Sequence, residues 1–379
     1  MRTRWRDILR KRLLYLIEAG EHRFDRMKLY LKVRHGRLGP VYILPYLGHG
    51  TARAVHITGR VMEEKKVYLP AVDDSAWRNL RAMIRRFLSA EVPGARVRVR
   101  FAGRDRLVVA DDEGFFQARM EPPEPLPEDN AWREIGLELM WPLAKGQREA
   151  QAVGEVMVPP EDVEFGVISD IDDTVVLTGA TSAFRTLRLL LFSNAHTRLP
   201  LEGVAPFYRA LRAGPDGGAG ENPIFYVSTS PWNLYDLISD FLDLRNIPAG
   251  PIFLKDWGGV KDALRGMDHR AHKLLVIREL LDTYPGLPFV LVGDSGQQDA
   301  ETYAQVAREN PGRIRAIYIR DIERPITGRD LAVREISAEV EAIGVPMLLV
   351  EDTVTAANHA ADHGLIDPAS LPEIRAAEK

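Results

Sequence analysis

The chain has 379 residues, 45% hydrophobic and 27% charged, with 30 Gly, 25 Pro, no Cys and a net charge of −4. This is ordinary soluble-protein composition, and it excludes collagen, coiled coil and wholesale disorder. Without cysteine there is no disulfide framework, thiolate zinc site or cysteine nucleophile, so any metal is held by oxygen or histidine, and the chain suits a reducing cytoplasm.

At about 100–200 residues per domain, the length predicts two domains, each able to bury its own core. No apolar run approaches the roughly 18–20 residues that a membrane-spanning helix needs. Charge is unevenly placed: residues 1–40 carry 12 Lys/Arg against 4 Asp/Glu, leaving the rest of the chain at a net −12. Arg2, Arg4, Arg6, Arg10, Lys11 and Arg12 interleave with Trp5, Ile8, Leu9, Leu13 and Leu16 at helical spacing, so residues 1–35 read as a basic amphipathic arm. Its apolar stretch stops at Glu18 and lacks a small-residue cleavage site, which argues against a secretory signal. Two readings stay open for the arm: a helix packed on the acidic body, or a surface helix drawn to anionic lipid at roughly 1 kcal/mol per basic residue.

Residues 36–157 carry short β-rich runs at Val41–Leu44, Ala54–Val61, Arg96–Phe101, Arg106–Val109 and Gly114–Met120. Val97, Val99 and Phe101 alternate with Arg96, Arg98 and Arg100 as a half-buried strand should, and Asp111–Gly114 reads as a hairpin corner. The expectation is a small antiparallel β-sandwich. One helix interrupts it, with Trp77, Leu80, Ile84, Phe87 and Leu88 on one side. Pro159-Pro160 closes the domain.

From Val163 the rhythm becomes apolar strand, helix, apolar strand. Val163–Ser169, Ile224–Ser228, Ile252–Leu254, Phe289–Val292, Ile314–Ile319 and Met347–Val350 are continuous apolar runs, as in strands buried on both faces of a parallel sheet. Helical stretches at Leu234–Leu244, Lys273–Thr283 and Ala300–Glu309 complete an α/β, doubly wound unit over 158–366, followed by a tail at 367–379.

Chemistry gathers at the strand ends. The first strand runs into Asp170-Ile171-Asp172-Asp173-Thr174, and the fourth into Gly293-Asp294-Ser295-Gly296-Gln297-Gln298-Asp299. Carboxylates packed at buried strand ends repel one another unless a cation sits there, and oxygen ligands without sulfur suit Mg2+. The second strand ends in Ser228-Thr229-Ser230, hydroxyls able to donate to a phosphate oxygen, while Lys273 is expected at the opening of a helix whose free N–H groups also favour anions.

In that order these elements resemble the four motifs of the haloacid dehalogenase superfamily. Asp170–Thr174, Tyr226–Leu234, Ile247–Gly258, His272–Leu274 and Gly293–Asp299 resemble more closely the actin-patch-type phosphatidate phosphatase family, whose core is similar to that of the lipins. The resemblance implies a haloacid-dehalogenase-like fold with a small cap at 175–223. Asp170 is then the nucleophile and Asp172 the general acid, then base. Mg2+ is held by Asp170, Asp294 and the Asp172 backbone carbonyl, and Ser228 and Lys273 cradle the transferring phosphoryl group. Asp299 is expected to orient metal waters. Asp173 and Thr174 are supporting candidates, and Trp232 and Lys255 candidates for meeting a glycerophosphate.

The expected function is a Mg2+-dependent phosphatase forming an aspartyl-phosphate and acting on phosphatidate, in the cytoplasm at the inner face of a membrane, with no nucleic-acid partner. A soluble phosphomonoesterase of the same superfamily and a non-catalytic lipid-binding scaffold remain alternatives.

Overall fold

The alternation of buried and exposed residues along one half of the chain gives way to uninterrupted burial in the other. The computed structural model describes residues 27–64, 90–127, 130–171, 203–217, 221–255, 269–321 and 328–378. They form two compact units, one running to Val158 and one beginning at Pro159. Most of the basic arm, the Trp77–Leu88 helix, residues 175–202 and 218–220 of the cap expected at 175–223, and Asp172, Asp173 and Thr174 lie outside the described residues. No described helix is long and apolar enough to cross a membrane.

In the first unit a helix at 27–34 precedes β1 (Val41–Pro45), β2 (Gly48–Thr51), β3 (Ala54–Glu63), β4 (Ala90–Glu91), β5 (Arg96–Phe101), β6 (Arg104–Val109), β7 (Phe115–Met120), β8 (Trp132–Trp141) and β9 (Gln151–Met157). They hydrogen-bond in the order β1-β3-β2-β9-β8-β5-β6, with β4 and β7 also on β3. The five expected strands are present within a few residues. β2 and β9 pair in parallel, so the sheet is mixed rather than wholly antiparallel. Period-two alternation reports which face a residue occupies, not the direction of its neighbour.

Val97 and Val99 are fully buried and Phe101 nearly so, packing with Ile57, Ile135 and Leu137. At the expected corner, Asp111 Oδ1 accepts from Glu113 N and Phe115 N, both at 2.9 Å, and Gly114 takes φ 79°, a left-handed conformation that costs glycine little.

The second unit contains β10 (Gly166–Asp170), α1 (Val204–Ala213), β11 (Ile224–Pro231), α2 (Tyr235–Leu244), β12 (Ile252–Lys255), α3 (His269–Thr283), β13 (Phe289–Asp294) and α4 (Asp299–Glu309). It ends with β14 (Ile314–Arg320), α5 (Gly328–Glu341), β15 (Met347–Val350), α6 (Thr353–Asp362) and α7 (Leu371–Ala377). The six strands are parallel, in the order β12-β11-β10-β13-β14-β15. Every residue of β10 and of β13 is buried, the signature of strands covered on both faces.

From β10 the chain steps outward through β11 to β12, then returns to the other side for β13, so the order reverses between β10 and β13. Ligand sites of such sheets lie at the strand carboxyl ends beside this reversal. The segment expected as a tail carries α7, whose Ile374 is fully buried. Glu378 accepts from the backbone N–H groups of Thr353 and Val354 at the start of α6.

Candidate active site

Asp170 is the last residue of β10 and Asp294 the last of β13. The register aligns Ser169 with Val292, so Asp170 stands level with Gly293 and Asp294 projects one residue beyond. On the other side Asp170 is level with Val227, which puts Ser228 one residue past it on β11. The β11 strand therefore flanks β10 rather than lying between the two acidic strands, and the nucleophile candidate occupies the middle of the sheet.

Asp170, Asp294 and Asp299 are all buried, and one carboxylate oxygen of each lies within 4.8 Å of the others. Lys273 Nζ reaches into this cluster, 2.8 Å from Asp170 Oδ1 and 2.5 Å from Asp299 Oδ1, with Gln297 Oε1 at 3.4 Å. The helix α3 starts at His269, so Lys273 lies a turn inside it and is only 3% exposed. Its expected place among free helix-start N–H groups is thereby corrected: its anion preference comes from its own ammonium. Burial pulls the Lys273 pKa down, but the carboxylates of Asp170, Asp299 and Asp294 outweigh it and hold the ammonium charged well above the usual lysine range.

Asp299, first residue of α4, does more than face the cluster. Its Oδ2 accepts from the backbone N of Asp294 at 3.2 Å while Oδ1 holds Lys273, and Asp294 Oδ1 in turn accepts from Gln297 N at 2.8 Å. The tight loop 295–298 is thus pinned from both ends. Gly293 permits it: a Cβ there would stand 2.6 Å from Asp299 Oδ2 and 2.8 Å from the Tyr303 ring. The glycine of the Gly-Asp-x4-Asp pattern is a steric requirement of the aspartate fold-back.

Ser228 is fully buried at the β11 end, where its Oγ accepts from Ser230 N at 2.9 Å. Trp232 follows in a short 3-10 turn and stacks on Tyr235, with ring centroids 6.0 Å apart. Lys255 is buried at the end of β12, paired in register with Pro231. Trp232 follows β11 and Lys255 ends the edge strand β12, whereas Asp170, Asp294, Asp299 and Lys273 form one contact cluster.

Three side chains beneath the site, Ser169, Tyr208 and Tyr303, escaped sequence reasoning. Ser169 Oγ donates to the Asp170 carbonyl at 2.6 Å and meets Tyr208 Oη, also at 2.6 Å. Tyr303 Oη donates to Val292 O at 3.1 Å. Burial raises the pKa of both phenols. For Tyr208 the Ser169 hydrogen bond opposes that rise and Asp170 adds to it, while for Tyr303 the site carboxylates add to it, so both stay neutral donors. Ser169 had a visible cue in its adjacency to Asp170. Tyr208 comes from α1, 39 positions away, and had none.

Three buried carboxylates gathered around Lys273 place negative charge where desolvation costs several kcal/mol per ion. The donor set is all oxygen and fits a hard divalent cation. The cluster also sets the buried Asp170 carboxylate 2.8 Å from the fixed Lys273 ammonium.

Residues 165–321 match the family model described as "Phosphatidate phosphatase APP1, catalytic domain". The phosphatidate phosphatase APP1 of Saccharomyces cerevisiae is 31% identical over 194 residues, covering 50% of this chain and 32% of that protein. An uncharacterized protein of Schizosaccharomyces pombe is 34% identical over 172 residues, 43% of this chain and 26% of its own. The chain thus spans about a third or less of the length of these relatives. Among solved structures, a carbohydrate acetylesterase from Xanthomonas citri aligns over 88% of this chain and 74% of its own at 12% identity and a TM-score of 0.28, too low to carry an argument. The matched residues 165–321 contain the whole carboxylate–lysine cluster, so the similarity to the actin-patch-type phosphatidate phosphatase family falls on the unit that carries the site.

Proposed function

We propose that the second unit is a Mg2+-dependent phosphatidate phosphatase of the haloacid-dehalogenase type, preceded by a β-sandwich-like unit. The observation that carries this reading is the cluster of Asp170, Asp294, Asp299 and Lys273 at the carboxyl ends of two adjacent parallel strands, inside the segment that matches the family. Asp170 and Asp294, with the Asp172 backbone carbonyl, would hold Mg2+, leaving Asp299 to hold Lys273 and the 295–298 loop. When bound, the ion offsets the repulsion between the attacking carboxylate and the phosphate.

In the first step an Asp170 carboxylate oxygen bonds to phosphorus and the ester P–O bond breaks. Asp172, two residues on, delivers its proton to the departing diacylglycerol oxygen. Water then attacks the aspartyl-phosphate, gives its proton to Asp172, and the P–O bond to Asp170 breaks to release phosphate. Lys273 and Ser228 stabilise the charge on the equatorial oxygens without moving, because burial and hydrogen bonds already fix them. Ser169, donating to the Asp170 carbonyl, steadies the backbone from which the nucleophile projects.

Phosphate release from phosphatidate in mixed micelles, measured beside a panel of soluble sugar and nucleotide phosphates, tests the reading. Turnover of phosphatidate should exceed that of every soluble ester, stop with chelator and return with Mg2+. Faster turnover of a soluble ester would make the chain a general phosphomonoesterase, and no turnover of any ester would make it a scaffold.

A further inference from the structure

The first unit carries a feature that the phosphatase reading leaves unused. The outward face of β5 and its neighbours is ordered in cross-strand rows: Val109, Arg96 and Trp141 lie across from one another, as do Leu107, Arg98 and Glu138. Leu107 and Val109 are 58% and 62% exposed on β6, which ends the strand order. Met140 and Trp141 on β8, and Tyr30 on the helix at 27–34, are exposed beside them. A groove of about 650 Å³ runs between Tyr30, Arg96, Val109, Met140 and Trp141, and a second of about 410 Å³, reaching Arg98 and Leu107, shares Arg96, Met140 and Trp141 with it.

An exposed edge strand with large aliphatic side chains invites association. The charges decide with what. Arg98 and Arg100 share Glu138, at 3.3 and 2.6 Å, and Arg100 lies 3.6 Å from Asp105. Arg96, in the row of Val109 and Trp141, makes no ion pair among the described residues. Three arginines on this face, Arg96, Arg98 and Arg100, therefore meet two carboxylates, Asp105 and Glu138, which leaves a net positive charge.

The two long chain segments outside the described residues before Val158 are also cationic, 1–26 with 8 Lys/Arg against 4 Asp/Glu and 65–89 with 6 against 2. They, like a second copy of the same face, would meet it with like charge. An anionic partner meets it with opposite charge, and one that also rewards burial of Leu107, Val109, Met140 and Trp141 is a lipid surface. Nucleic acid has no use for the aliphatic side chains.

We infer that this face of the first unit docks on anionic membranes, its arginines at the lipid phosphates and its apolar side chains in the interfacial layer. The inference concerns residues remote in sequence from the phosphatase cluster and does not depend on which ester is hydrolysed. It is also separate from any lipid attraction of the N-terminal arm.

The full chain is sedimented with vesicles of phosphatidylcholine, with and without phosphatidylserine. The parent should partition to the phosphatidylserine vesicles. Arg96→Glu should lower that partition about fivefold or more, in a salt-sensitive way, and Arg96→Gln should do so by a smaller factor. Leu107→Ser with Val109→Ser should lower it roughly tenfold at every salt concentration. Melting temperature and turnover of a soluble phosphate ester should match the parent in each case.

Parent-like partition of these variants would overturn the proposal, whatever the arm contributes. Loss of duplex DNA binding with vesicle binding intact would reassign the face to nucleic acid, and conversion of a dimer to a monomer would reassign it to self-association. Either result overturns the lipid assignment. A chain that docks normally but hydrolyses nothing would instead sink the phosphatase reading and leave this one standing.

Discussion

The two units use the same charged side chains to opposite ends. Around β5, Arg98 and Arg100 meet Glu138 on a sheet face that is 24–49% exposed at these side chains. Around β10, Lys273 meets Asp170 and Asp299 where side-chain exposure is 1–3%. A surface pair gains little over its hydrated partners, about 0–1 kcal/mol, whereas a buried cluster commits every member to the others and leaves its excess charge for a ligand. Charge becomes chemistry where the fold withholds water. The strand patterns say the same: β5 alternates, facing solvent with every second residue, while β10 and β13 are buried throughout and can place charge only at their ends.

That contrast fixes the order of expected effects. Asp170→Asn should lower turnover by roughly 10³-fold or more with the melting temperature nearly unchanged, since the amide keeps the shape and loses the attacking charge. Asp294→Ala should match it in turnover and, in addition, abolish the response to Mg2+. A fully active Asp294→Ala would remove this residue from the metal site.

Lys273→Met comes next. Withdrawing the ammonium leaves Asp170 and Asp299 without their cation, so urea unfolding should show a loss of about 3–5 kcal/mol together with a fall in turnover. If stability holds, the cluster is less dry than its burial indicates. Gly293→Ala should cost about 1–3 kcal/mol, because its Cβ would press on Asp299 Oδ2, and should slow turnover by displacing Asp294. Glu138→Gln on the exposed face should change stability by less than about 1 kcal/mol and leave the soluble-ester rate untouched. A larger effect there would erase the distinction between the units.

How much was legible depended on whether the signal was local. β10, β11, β13 and β14 stand out because strands buried on both faces read as unbroken apolar runs, and the end of such a run marks where a carboxylate must emerge. The same rule found Asp170 and Asp294. The strand β8 was missed although Ile135, Leu137 and Leu139 alternate with Glu134, Gly136 and Glu138, and β2, sequence Gly-His-Gly-Thr, offers no apolar pattern at all.

Lys273 was found in type but misplaced, since sequence spacing does not say where a helix begins to within a turn. Tyr208 under Asp170 and the double grip of Asp299 depend on contacts made only once the sheet is assembled.

The central claim, that the buried cluster performs phosphoryl transfer with Asp170 as the attacking group, is tested most directly by trapping the covalent intermediate. Asp172→Asn is mixed with Mg2+ and p-nitrophenyl phosphate, whose leaving group needs no proton, then quenched in acid and digested. The account predicts a hydroxylamine-labile phosphate on the peptide containing Asp170, absent when Asp170→Asn is added. Rapid p-nitrophenol release with no acid-stable label, or a label on any other residue, would contradict it.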